Sequence, residues 1–457
     1  MLKSIDPATG RELATFPELD QAGIESAIER AWSTRHAWRD AGVDVRASIL
    51  RAVAGVLRAD KQRYAGLLTT EMGKPIVEAE AEIEKCAWTA GWIADNAARR
   101  LADEPTESTA SESYVRFQPL GVVLAVMPWN FPFWQAFRAA LPALAAGNVM
   151  MLKHSSNVPQ CALAIEEVFR EAGVPDGVFQ TLMIGSGPVG GIVSDRRVAG
   201  VTLTGSEGAG SLVAAAAGKA LKKTVLELGG SDPFIVLRDA DIATAATVAC
   251  RARNQNNGQS CIAAKRFIVE ESVADDFEDR LAKAVGALKI GNPMDRGNQV
   301  GPLARADLVV ELERQVKESV RLGAQTLTGG KRLDGGGYYF EPTVLANVRP
   351  GMPAYHEETF GPVAAVIRVE DAEDALRVAN DTDFGLGSAI WTADVGRAKK
   401  LAERVEAGLV FVNGMVASDA RLPFGGVKRS GYGRELGSYG MKEFVNIQTV
   451  WVGPAKT

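Results

Sequence analysis

Residues 121–154 read GVVLAVMPWNFPFWQAFRAALPALAAGNVMMLKH. Two short, unbroken apolar runs, GVVLAVM and VMMLKH, flank a longer segment with helical content, FWQAFRAALPALAAG. Strands without polar alternation are those buried on both faces, as in a parallel sheet whose crossovers are helices. The alternation continues to residue 229. QCALAIEEVFREAG reads as a helix, VFQTLMI and VAGVTLTG as strands, SEGAGSLVAAAAGKAL as a helix and KKTVLELGG as a strand. The fold class is therefore α/β, and ligands are expected outside the C-terminal strand ends.

Working outward, the alternation restarts after about residue 230. PFIVL, KRFIVEE, VAAVIRVED, GSAIWTA and GLVFVN read as strands, separated by amphipathic helical segments. This makes a second α/β lobe. Residues 20–100 are α-rich and include one long helical run, RASILRAVAGVLRADKQRYAGLLTTEMG. SESYVRFQPLG and KEFVNIQTVWVG are isolated strands, which pair with each other or extend a neighbour's sheet. A chain of 457 residues is too long for one core, so two or three lobes are expected.

Composition narrows the function. Hydrophobic residues at 46% and charged residues at 23% fit a soluble globular enzyme. A net charge of −5 without a basic run argues against nucleic acid or an anionic membrane as partner. The start, MLKSIDPATGRELATF, lacks the apolar stretch of a signal peptide, and no run reaches the roughly 18 apolar residues of a membrane span. Cys86, Cys161, Cys250 and Cys261 are scattered, which suits a reducing cytoplasm. His36, His154 and His356 lie far apart, so no metal is expected.

Several residues invite chemistry, each with a plainer alternative. Cys261, in NNGQSCIAAKR, follows small and polar residues and is a candidate nucleophile, with Lys265 placed to help hold a thiolate. The alternative is a buried structural cysteine. Glu227, in LELGGSDP, ends a strand where a carboxylate can act on a ligand; alone, it would be a surface residue capping a turn. Asn130, in the stiff loop MPWNFPFWQAFR, is a candidate oxyanion donor or part of an apolar turn. Arg138 shares a helix face with Trp134 and has no acid in its own helix. Buried, it would need a distant acid or a ligand carboxylate; the residues alone favour snorkelling to solvent. Gly185, Gly187 and Gly190 form a literal GxGxxG, read here as a tight turn because no acid ends a second strand about twenty residues on. LTGSEGAGS is the better phosphate site: Gly205 and Ser206 end a strand and Gly210 lies in the next helix. A helix merely capped by Ser206 is as good a reading.

Together PWNFP, LELGG, GQSC, EETFGP and PFGGVKRSG resemble the aldehyde dehydrogenase superfamily, in that family's order and over nearly the whole chain. LKHSSNVPQ and NNGQSCIAAKRF are similar to its bacterial NADP-type succinate-semialdehyde dehydrogenases. The resemblance implies a cofactor-binding domain over residues 1–100 and 120–229, a catalytic domain over 230–429, and an oligomerisation arm of 101–119 and 440–457. It implies a homodimer or homotetramer acting on a small-molecule aldehyde.

The implied chemistry assigns roles. Cys261 attacks the aldehyde carbon, Asn130 and the Cys261 N–H hold the oxyanion, and Glu227 is the general base. Glu435, in GRELG, matches a position proposed for proton relay. Trp129, Asn130 and Leu228 lie by the nicotinamide, Gly205 and Ser206 at the pyrophosphate, and Glu358 at the nicotinamide ribose with Phe360 nearby. Lys153 reaches the adenosine ribose. Many NAD-preferring relatives carry Glu where Ser156 stands, so the resemblance implies NADP preference, with NAD weaker. Arg138 and Ser418, beside Trp134, bind the substrate carboxylate, which would explain the partner Arg138 lacks. Ala263 replaces a second cysteine of some relatives, so no disulfide switch is expected at Cys261.

Rival readings remain open: a dehydrogenase of another small aliphatic, aromatic or dicarboxylic semialdehyde, or a non-catalytic structural or binding protein that kept the fold. A cysteine hydrolase is disfavoured because no histidine lies near Cys261 in sequence. A CoA-acylating relative is disfavoured by the presence of Glu227.

Overall fold

Val122–Met127 is apolar throughout and buried except at Val126, as a central strand must be. It lies inside a six-stranded sheet of the computed structural model, which describes residues 1–454. The strand order is Gly431–Tyr432, Lys223–Glu227, Val198–Thr204, Val122–Met127, Val149–His154 and Phe179–Thr181. All neighbours run parallel except the first pair. From Val122–Met127 the chain crosses first to Val149–His154 on one side and later to Val198–Thr204 on the other. That reversal opens a crevice at the strand ends, where Trp129, Asn130, Gly205 and Ser206 sit.

The second sheet has seven strands, with Asp232–Val236 and Ala264–Glu270 paired in parallel at its centre. Two apolar clusters cover its two faces, one around Ile235 and Ile268, the other around Phe234 and Phe267. Neighbouring residues point to opposite faces of a strand, which explains this division. Gln325–Thr328 and Thr343–Ala346 extend the sheet. Their four-residue runs are too short to stand out in the sequence.

One expectation changes, and one of two stated alternatives holds. The long helical run at 46–73 is two helices, Val43–Ala59 and Lys61–Met72, broken at Asp60, whose φ of −108° and ψ of 24° leave the helical range. The second ends at Gly73 with φ of 84°, where a Cβ would lie 2.7 Å from the Pro302 carbonyl oxygen. The isolated strands pair with each other: Val445–Val452 runs antiparallel to Glu112–Pro119, from Val445 opposite Pro119 to Val452 opposite Glu112. Glu104–Pro105 joins them, and Ile447 and Trp451 remain exposed. The last three residues of the 440–457 segment lie outside the described residues. Among the described residues no helix is long and apolar enough to cross a membrane.

Candidate active site

Two cavities, of about 310 and 220 Å³, meet at Cys261, which lines both. The loop carrying it is built by an abrupt reversal after the Ile242–Asn254 helix. Asn256, Asn257 and Gly258 have φ of 58°, 56° and 73° in succession. Asparagine tolerates this region because its side chain replaces the lost backbone bonds. Asn256 Nδ2 donates to the carbonyls of Asn130 (2.8 Å) and Gln259 (2.9 Å). Asn257 Nδ2 donates to those of Gly73 and Pro302. At Gly258 a Cβ would stand 2.3 Å from the Gly361 backbone, so only glycine fits.

Lys265 is hydrogen-bonded to the backbone of the loop. Its Nζ donates to the carbonyls of Ser260 (3.1 Å) and Cys261 (2.8 Å) and lies 3.3 Å from Glu358. It clamps the loop through these carbonyls, and its charge still lowers the Cys261 pKa, so it favours a thiolate through its charge while its hydrogen bonds go to the backbone. Burial pushes the Cys261 thiol up to about 12, against weaker pulls from Arg138 and Lys265. The thiol is therefore the resting form, and it needs a base. His154 is not that base: it is buried at the end of its strand, pushed down to about 4, and bonded to the Pro132 carbonyl.

Asn130 is 4% exposed and donates one amide hydrogen to the Gln259 carbonyl (3.1 Å). Its second N–H stays free at the wall of the smaller cavity. Glu227 is buried, not a surface cap, and neither carboxylate oxygen has a hydrogen-bond partner. Burial raises its pKa well above the carboxylate range, Arg138 opposes this, and Glu435 adds to it. It lines neither cavity; one oxygen lies against Gly425, where a Cβ would be 2.7 Å away.

Phe131, Trp134, Arg138, Phe424 and Ser418 line the larger cavity. Arg138 is 1% exposed, so the snorkelling reading is wrong. It also does not lack a partner. Its Nε pairs with Glu435, a terminal amine lies 3.3 Å from Thr204 Oγ1, and Phe424 stacks at 4.4 Å. Glu435 lines neither cavity and holds Arg138 from behind, with Thr202 Oγ1 at 3.4 Å. The acid that Arg138 lacks in its own helix thus comes from near the end of the chain.

Two residues escaped sequence reading. Lys85, on the Ile76–Arg100 helix, donates to Ser418 Oγ (2.6 Å) and stands 4.3 Å from the Trp134 ring centre. Gln135 lines both cavities beside Cys261, and its side-chain oxygen is buried without a partner. Only the pattern of one amphipathic helix surrounded Lys85, and nothing local distinguished Gln135 from core.

The smaller cavity gathers Trp129, Asn130, Gly205, Ser206, Leu228, Glu358 and Phe360. Trp129 and Phe360 meet edge to face at 5.7 Å. Glu358 accepts from the Gly230 N–H (3.0 Å). Ser206 does cap the Glu207–Lys219 helix, accepting from Ala209 N–H. An apolar wall, a helix N-terminus and a carboxylate fit the nicotinamide, phosphates and ribose of a dinucleotide. Lys153, 8% exposed, and the exposed Ser156 line neither cavity. The Gly185–Gly190 loop also lies apart, its Gly185 N–H bonded to Glu18.

The model of the aldehyde dehydrogenase family matches residues 1–450. A probable NADP-type succinate-semialdehyde dehydrogenase of Synechocystis is 51% identical over 99% of both chains. A succinate semialdehyde dehydrogenase of Escherichia coli, described as using NAD(P), is 49% identical over 98% of this chain and 97% of its own. The succinic semialdehyde dehydrogenase of Streptococcus pyogenes, solved with NADP, superposes with a TM-score of 0.97 at 39% identity, covering 99% of this chain and 100% of that one.

Proposed function

Because the chain belongs to the aldehyde dehydrogenase family, we propose that it oxidises succinate semialdehyde to succinate with NADP as preferred cofactor. NAD is the weaker alternative. The observation that carries this reading is Cys261 at the junction of a dinucleotide-shaped cavity and a second cavity whose lining includes Lys85, Arg138 and Arg251 alongside Glu78 and Glu82. The relatives named for this activity at about half identity over full length support the same substrate.

In this reading Glu227, uncharged in its buried resting place, turns toward the junction and gives up its proton to the aqueous cavity. As a carboxylate it takes the Cys261 thiol proton, and the sulfur adds to the aldehyde carbon. The free N–H of Asn130 and the Cys261 backbone N–H hold the developing oxyanion. Bound in the smaller cavity, the oxidised nicotinamide would supply the two-electron acceptor that turns the Cys261 thiohemiacetal into a thioester. Glu227 first releases the thiol proton to the aqueous cavity; as a carboxylate again it takes a proton from the water that attacks the thioester and passes that proton to the departing Cys261 thiolate. Glu435 keeps Arg138 paired beside Glu227; relay of the Glu227 proton through Glu435 is the finer form of this proposal.

Residues 1–100 with 120–229 serve as the cofactor-binding unit and 230–429 as the catalytic unit. The arm of 101–119 and 440–457, with exposed Ile447 and Trp451, serves a homodimer or homotetramer. The cytoplasm is the proposed location. Ser156, in place of an acid, leaves Lys153 to meet a 2′-phosphate. An aldehyde panel with NAD and NADP tests the reading. Succinate semialdehyde with NADP is expected to give the highest kcat/KM, and Cys261→Ala to give none. A preference for NAD, or for uncharged aldehydes, overturns it.

A further inference from the structure

Three cations line the larger cavity: Lys85, Arg138 and Arg251. They are not equivalent. The charge of Arg138 is already matched by Glu435. Arg251 is exposed, where water and salt screen it. Lys85 is half-buried, and the acids that act on it are engaged elsewhere: Glu82 with Lys74 and Asp419 with Arg421. Its hydrogen bond goes to a neutral hydroxyl, Ser418 Oγ. An ammonium has three donors, so two remain. Ser418, accepting from Lys85, keeps its own proton to donate. An N⁺–H and an O–H therefore converge on one wall, beside the Trp134 ring. Two adjacent donors, one of them charged, match the two oxygens of a carboxylate.

We propose that Lys85 joins Ser418 in reading the terminal carboxylate of the substrate, as the unpaired half-buried charge of the larger cavity beside Arg138. This rests on the semialdehyde reading above and adds a second helix to its recognition. Burial pulls the Lys85 pKa down to about 8, with Arg138 adding to the fall and Glu82 and Asp419 opposing it.

The test compares succinate semialdehyde with butanal, which has the same four carbons and no carboxylate. The ratio of their kcat/KM values is measured for the unmodified enzyme, Lys85→Met, Lys85→Arg and Ser418→Ala. Lys85→Met is expected to lower the ratio by about 10- to 100-fold, through KM of the charged substrate. Lys85→Arg recovers most of it, and succinate weakens as an inhibitor of Lys85→Met in parallel. Should Lys85→Met not yield folded protein, Lys85→Gln keeps a polar side chain without the charge and carries the same comparison. A ratio that stays within about threefold, or equal losses on both aldehydes, overturns the assignment. If the unmodified enzyme has no preference for the charged aldehyde, the semialdehyde reading falls and Lys85 with it. If that preference exists and survives in Lys85→Met and Lys85→Gln, Lys85 alone is rejected.

Discussion

Removing one member of the Arg138–Glu435 pair should have very unequal consequences depending on which member is removed. The two side chains are 1% and 6% exposed, so both charges are out of water. Glu435→Leu leaves a buried guanidinium that cannot shed its proton. The remaining Thr204 contact at 3.3 Å and the Phe424 ring at 4.4 Å are together worth only about 1–2 kcal/mol. Against these stands a cost of about 3–5 kcal/mol for orphaning a buried charge. Arg138→Met leaves a carboxyl that can neutralise itself. Burial already raises Glu435, and without Arg138, which opposes that rise, it holds a proton to higher pH. The loss is therefore smaller, and its sign with pH follows. A carboxyl whose folded pKa lies above the unfolded one stabilises at low pH and loses that contribution as pH rises. Arg138→Met should thus weaken from pH 5 to pH 8 relative to the unmodified protein. The double variant Arg138→Met/Glu435→Leu should lose about 2–3 kcal/mol less than the sum of the single variants. Urea titration followed by tryptophan fluorescence reads all three. Equal losses in the single variants, or strict additivity in the double, would refute the argument that this pair is a dry, coupled charge pair.

Other outcomes can be checked more quickly. Ser156→Glu should shift the kcat/KM ratio from NADP toward NAD, because a carboxylate repels the 2′-phosphate; an unchanged ratio rules out Ser156 as a determinant. Glu227→Gln should still release one rapid equivalent of NADPH if another group can take the thiol proton, but turn over at least about 100-fold more slowly, because deacylation lacks its base. Unchanged turnover would remove Glu227 from the mechanism. Since burial pulls Lys85 down to about 8, kcat/KM for succinate semialdehyde should fall above that pH, where the amine is neutral. The neighbours that set this value are Arg138, Cys86, Glu82 and Asp419. Butanal should show no such limb; the same limb on both aldehydes would point to Cys261 or Glu227 instead.

The parallel sheets were legible because doubly buried strands leave unbroken apolar runs, as Val122–Met127 does. Cys261 at the cavity junction and Asn130 on the smaller cavity were legible through short motifs, whereas Gln135, also at the junction, was not. What resisted reading was long-range polar pairing. Arg138 looked unpartnered because Glu435 reaches it only through the bridge between Phe424 and Glu435. Lys265 is close to Cys261 in sequence, yet, second in the Ala264–Glu270 strand, it directs its hydrogen bonds to the loop carbonyls. Lys85 lies in the α-rich stretch of residues 20–100, where no motif marked it. Asp60 gave no sign of a break because the apolar spacing on either side of it fits one continuous helix.

The Ile76–Arg100 helix has a wider bearing. Glu78 accepts from the Asn256 N–H in the cysteine loop (2.6 Å), and Glu82 accepts from the N–H groups of Phe133 and Trp134 (3.0 and 2.9 Å). Lys85 follows three residues later on the same face. One helix stripe therefore gauges the nucleophile loop, the start of the Pro132–Ala146 helix and the cavity wall at once. Variation along it is tied together: a one-residue insertion would rotate all three contacts by about 100°. Graft experiments between relatives should exchange this segment whole, as an inherited cassette, since its residues cannot drift one by one.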